Sequence, residues 1–118
     1  MNGASTGSAR TGRGRSFSKG FGVYIATLIA DGTLEDSTFT EVADQFDMDL
    51  RGGKLLSADW IDFRHAADIV FATEAPLDVA ECASLAEAIK DRTLAVAHHT
   101  QAGGLELDVI VQPAAARE

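Results

Sequence analysis

The chain has 118 residues, 46% hydrophobic and 24% charged, with a formal net charge of −8. That is enough apolar content and length for one globular unit, and no apolar run approaches the roughly 20 residues that span a bilayer. Arginines near the start are not followed by an apolar h-region, so a secretory signal is not expected, and a lone cysteine, Cys82, excludes an intrachain disulfide and fits an intracellular, cytoplasmic or nuclear, setting.

The charge is split along the chain. Residues 1–20 hold Arg10, Arg13, Arg15 and Lys19 with no acid, while the remainder carries eighteen acids against six Lys and Arg. The first stretch, rich in Gly, Ser and Thr, cannot offset the entropy of ordering and is expected to be a disordered basic tail. Residues 21–113 read as a single globular domain, and 114–118 as a frayed C-terminus. Phosphate contacts dominate nucleic-acid affinity, so an acidic body is a poor reader of nucleic acid, and only the tail could meet an anionic surface.

In FGVYIATLIAD, Phe21, Tyr24, Ile25 and Leu28 share a helical spacing. Val23, Ile25, Thr27 and Ile29 alternate as on a strand. The expectation here is a helix, closed by Gly32 as its C-cap. Thr38 and Glu41 have capping-box spacing, and Phe39, Val42, Ala43 and Phe46 form a stripe, so a helix is expected over 37–47. Arg51-Gly52-Gly53-Lys54 signals a turn. Trp60-Ile61-Asp62-Phe63 is expected to anchor in the core. Residues 64–73 suit either a helix face or, from Ile69, a strand that Pro76 terminates.

Asp78 and Glu81 offer an N-cap and its partner. Val79, Cys82, Ala83, Ala86 and Ile89 then repeat at helical spacing, which predicts a helix over 78–91. LAVAHHT and LELDVIV flank Gln101-Ala102-Gly103-Gly104 and read as a β-hairpin. In its second run Leu105, Leu107, Val109 and Val111 face one way, and Glu106 and Asp108 the other.

Trp60-Ile61-Asp62-Phe63-Arg64, then His65–Thr73, Val79–Lys90 and Leu94–Val111, resemble in order the DEP-type winged helix and the cytosolic winged helix of a translocon-associated Sec protein. The resemblance spans residues 60–111. It implies a winged-helix-like α+β fold, helices followed by a C-terminal β-hairpin, and a protein- or membrane-interaction role with no catalytic residue. The competing fold is a ferredoxin-like α+β sandwich, with strands at 21–31 and within 55–73.

Chemistry-bearing groups are sparse. On a strand, His98 and His99 would point to opposite faces, one packed and one in solvent. No CxxC or HExxH spacing supports a metal, and no metal or cofactor is expected. Cys82 is expected to be a buried core thiol. Asp44, Asp47 and Asp49 are expected to form an acidic face. Gly52-Gly53-Lys54 lacks the context of a phosphate loop.

The leading expectation is a non-enzymatic protein-interaction or adaptor domain. It would meet a protein partner through the acidic face (Asp44, Asp47, Asp49) or through the tail (Arg10, Arg13, Arg15, Lys19). The alternatives are a nucleic-acid-associated regulator contacting through the tail, and a small α+β enzyme or ligand-binding domain using the aspartates or His98 and His99.

Overall fold

The computed structural model describes residues 22–49 and 53–117. The elements run β1 (Gly22–Asp31), α1 (Asp36–Asp49), β2 (Lys54–Asp62), β3 (Ala66–Thr73), α2 (Val79–Thr100) and β4 (Glu106–Pro113). A 3-10 turn, Ala114–Arg117, follows. The four strands form one sheet in the order β2-β3-β1-β4. Each neighbouring pair is antiparallel. Both helices share one core cluster with one face of this sheet. The βαββαβ order and this strand order make a split βαβ, ferredoxin-like sandwich.

The winged-helix expectation is therefore overturned, and with it the fold implied by the resemblance over residues 60–111. The first discrepancy is β1, expected as a helix. Val23, Ile25, Thr27 and Ile29 are β-branched and stiff at χ1, which suits a pleated strand. Between them Tyr24, Ala26 and Leu28 point inward and are buried. Gly32 is not a helix cap. It turns the chain out of β1 at φ +104°, a conformation glycine reaches without strain.

α1 keeps the expected stripe, with Phe39, Val42 and Phe46 buried. Its start differs. The helix begins at Asp36, so Thr38 lies inside the first turn, where its side chain is buried. The cap comes from far along the chain. Gln101 Oε1 accepts from the Glu35 backbone N–H at 3.0 Å and from the Thr38 hydroxyl at 2.8 Å. Its amide Nε2 donates to the Thr33 carbonyl at 3.1 Å. A polar side chain at the end of one helix thus satisfies orphan groups at the start of the other.

β2 is irregular, with register shifts between Leu55 and Ser57 and between Trp60 and Asp62. Trp60 does anchor, against Phe39 at 4.7 Å between ring centroids. Phe63 does not. It is 55% exposed in the β2–β3 turn. β3 buries Ala67, Ile69 and Phe71, and Phe71 meets Tyr24 and Phe46 at 5.9 and 5.3 Å. A fully buried Phe of this kind contributes about 1.5–3 kcal/mol of transfer free energy.

α2 begins as expected, with Asp78 as N-cap and Glu81 completing the reciprocal capping box. Tyr24 ties its entry to β1, because the Leu77 N–H donates to the phenol oxygen at 2.6 Å. The helix does not stop near Lys90. It runs to Thr100, and Cys82, Ala86, Ile89, Thr93, Val96 and Ala97 form one continuous buried stripe. The expected hairpin is accordingly absent. LAVAHHT is helical, since no breaker separates it from the stripe and its alanines favour helix. LELDVIV does supply a strand, but it pairs with β1. Leu107 is buried on the helix side, as the alternation required.

Candidate functional site: the open face of the sheet

Both helices lie on one side, so the outward side chains of the four strands make up a second face. Registered partners across a sheet share a face, which allows it to be read row by row. Val23 lies beside Ala72, Ile25 between Val70 and Gln112, Thr27 between Asp68 and Ile110, and Ile29 between Ala66 and Asp108. β2 adds Ser57 beside Val70 and Asp59 beside Asp68. Leu56, in the first bulge, is 49% exposed, and Ile110 is 50% exposed.

An antiparallel sheet with one solvated face ordinarily alternates apolar inward and polar outward. Here the outward positions of β1 are Val, Ile, Thr and Ile, and β3 and β4 add Val70 and Ile110. The strand is apolar on both sides. The polar members at the centre are Thr27 and Asp68, and the Thr27 hydroxyl donates to the Asp68 carboxylate at 2.8 Å. Further acids, Asp59, Asp62 and Asp108, lie on the outer strands β2 and β4, with Lys54 as the cation of β2. The face is an apolar centre with an acidic border.

The two sheet edges differ. β2 carries two bulges and several charges, both of which discourage strand addition. β4 pairs with β1 over eight registered positions without a shift. A shallow groove of about 370 Å³ lies between β4 and α2, lined by Cys82, Ala83, Ala86, Val109 and Val111 among others. Cys82 is buried there. Burial pushes its thiol pKa up, and the nearby carboxylates of Asp78 and Glu81 push the same way. A thiol held protonated is a core group, which matches its expected role.

Among the described residues, those singled out in the sequence do not converge. Arg10, Arg13, Arg15 and Lys19 lie outside the described residues. Asp44 and Asp47 are exposed on the last turns of α1, whose final turn holds no basic residue. Asp47 has a local job, because its carboxylate accepts from the Leu55 backbone N–H where the chain enters β2. Asp49 ends the helix, and its side chain is outside the description. His98 and His99 sit on the last turn of α2 instead of a strand. Both are exposed, and their rings lie edge to face at 5.4 Å between centroids. The expectation of one packed and one solvated histidine is corrected, since a helix end facing solvent leaves both in water. Among the described residues no group of three or more His, Cys, Asp or Glu side chains could hold a metal ion. No helix among them is long and apolar enough to cross a membrane.

The residues of the open face were missed as a site, although the signal was present. The Val-x-Ile-x-Thr-x-Ile alternation interleaved with Tyr-x-Ala-x-Leu is what a strand covered on both faces looks like. No protein-family model, curated protein or solved structure matches the chain.

Proposed function

We propose that this protein is a non-enzymatic protein-interaction domain that docks through the open face of its sheet. The observation that carries this reading is the outward row Val23, Ile25, Ile29, Val70 and Ile110, an apolar surface opposite the helices. A contiguous apolar patch rimmed by polar groups marks a place where a partner excludes water. The polar pair at its centre, Thr27 and Asp68, is engaged internally, which suits a packing surface. The acid-rich body and the cations at Arg10, Arg13, Arg15 and Lys19 act on encounter, steering oppositely charged surfaces together and suppressing wrong ones.

Comparative capture tests the proposal. Wild-type protein and a Val70→Asp variant are immobilised side by side, and the proteins retained are compared at low and high salt. A partner retained by the wild type and lost with Val70→Asp supports docking through this face. Identical retention by both proteins places the interaction elsewhere and refutes it.

A further inference from the structure

Independently of the docking reading above, we infer that a second copy of this chain pairs with the outer edge of β4, strand beside strand, across a two-fold axis normal to the sheet at Ile110. The sheet then continues as eight strands, with all four helices on one side and both open faces on the other.

The alternation of backbone groups decides which residues offer bonds at that edge. Ala30 N donates to His65 O, so the backbone groups of Ala30 point toward β3 and those of Ile29 toward β4. Ile29 is registered with Asp108, and Thr27 with Ile110. Asp108 and Ile110 therefore bond to β1, while Val109 and Val111 turn their N–H and C=O groups outward. Pro113, which has no N–H to give, falls at an outward position too. Among the described residues no backbone or side-chain group bonds to the outward groups of Val109 and Val111. The groove of about 370 Å³ between this edge and α2 is lined in succession by Val109, Ile110, Val111, Gln112 and Pro113. Successive residues point to opposite faces, so the groove exposes the backbone edge itself.

The edge is complementary to itself. With the axis at Ile110, Val109 faces the partner's Val111 and the partner's Val109 faces Val111, and each pair exchanges two backbone bonds, about four in all. Ile110, 50% exposed, lies beside its own copy as the closer kind of cross-strand pair. Asp108 lies beside the partner's Gln112, whose amide can donate to the carboxylate while both side chains stay in water. Other registers are poorer. An axis at Asp108 sets two carboxylates directly opposite each other, which is destabilising. An axis at Val109 makes Asp108 and its copy diagonal neighbours and needs the edge of Leu107, which is only 5% exposed.

The helix layer fits the same axis. Four strands about 4.8 Å apart span about 14 Å, so two helices packed about 8–10 Å apart sit just inside the outer strands. Continuing the sheet through β4 brings α2 and its copy to about that same distance. One flank of α2 meets α1, where Arg92 donates to Gln45 at 2.7 Å. The other flank carries small side chains over the groove, with Ala83 exposed and Ala86 beside it. Val79, one turn earlier and 88% exposed, gains a cover there. Residues 107–113 at about 3.3 Å each, across a sheet layer and a helix layer of about 10 Å each, make a wall of about 460 Å² per copy. About 900 Å² in all is a weak interface, with a dissociation constant on the order of tens of micromolar.

The test is the mass of the full chain by sedimentation equilibrium from about 5 to about 500 µM, a range that brackets that constant. The wild type is expected to rise from 12.4 kDa toward twice that value. Ala83→Glu, at an exposed helix position that the free fold tolerates, sets two carboxylates at the helix crossing and is expected to stay at the mass of one chain. Ile110→Asp does the same at the strand axis. Both are expected to keep the far-UV CD spectrum of the wild type. Amide exchange gives a readout without substitution. Val109 and Val111 are expected to exchange more slowly as concentration rises, while Ile110, already bonded to β1, changes little. A wild type at single-chain mass up to about 500 µM overturns the inference. So does a folded Ala83→Glu or Ile110→Asp that dimerises like the wild type, or a dimer with no concentration-dependent protection at Val109 and Val111. Val70→Asp, on the open face and away from the edge, separates the two readings. It is expected to remain dimeric whether or not a partner docks on that face, and a dimer lost with Val70→Asp but kept with Ala83→Glu places the contact on the open face and overturns the edge pairing.

Discussion

Replacing Gln101 by Ala tests how the two helices are tied together. The Gln101 side chain accepts from the Glu35 N–H and the Thr38 hydroxyl and donates to the Thr33 carbonyl, at 3.0, 2.8 and 3.1 Å. The losses are unequal. Thr38 retains a partner, because its hydroxyl lies 2.7 Å from that of Thr100. The Glu35 N–H and the Thr33 carbonyl are left to water. Gln101 is only half-buried, so each orphaned backbone group costs about 1 kcal/mol, the low end for an unsatisfied group, and the substitution destabilises by about 2 kcal/mol. For a domain of this size that lowers Tm by about 8–16 °C, read by far-UV CD at fixed protein concentration. Gln101→Glu keeps the acceptor beside the start of α1 and loses only the donor, so it falls between the two. A Gln101→Ala protein melting within about 2 °C of the wild type would refute this account of the cap, because it would mean the network contributes less than about 0.5 kcal/mol.

Three more substitutions probe other parts of the argument. Asp78→Ala removes the side chain that accepts from Glu81 N at 2.7 Å and is expected to cost about 1 kcal/mol in urea unfolding. Adding Glu81→Ala should cost less than it does alone, since the capping box is reciprocal. Arg64 adopts φ +73° at the third position of the Asp62–His65 turn, where His65 N donates to Asp62 O at 2.8 Å. Glycine is preferred there, so Arg64→Gly is expected to raise stability by about 0.5 kcal/mol, the relief of left-handed strain less the entropy glycine adds to the unfolded chain. A loss above about 1 kcal/mol would show that the stacking of Arg64 on Phe63, at 5.2 Å, outweighs the strain. Cys82, whose thiol pKa burial raises, is expected to alkylate more slowly than a peptide thiol, with denaturant abolishing the difference. The folded state holds this proton more tightly than the unfolded state. Its contribution to stability is therefore complete below the unfolded thiol pKa and is lost as pH rises through the folded one. Cys82→Ala should flatten that alkaline decline, and an unchanged slope in pH-dependent unfolding would count against it.

Much of the local structure was legible from residue order. Asp78 and Glu81 marked the start of α2, the stripe Phe39, Val42 and Phe46 marked the inner face of α1, and the alternation of Leu107 with Asp108 marked the inner face of β4. These follow from capping chemistry and from the 3.6 and 2.0 periods, which act over a few residues. What the chain alone left open was decided by contacts between distant segments. FGVYIATLIAD satisfies both periods, and it became a strand because β3 and β4 supply ladders on both of its sides. LAVAHHT alternates like a hairpin strand, yet Thr93, Val96 and Ala97 extend the buried stripe of α2 against the sheet. Gln101 lay in an expected turn, and only the approach of the end of α2 to the start of α1, across 66 residues of sequence, made it a cap. The open face has the same origin. The composition of β1 announces two apolar sides, but which of them the helices cover is settled by where the two crossovers pack.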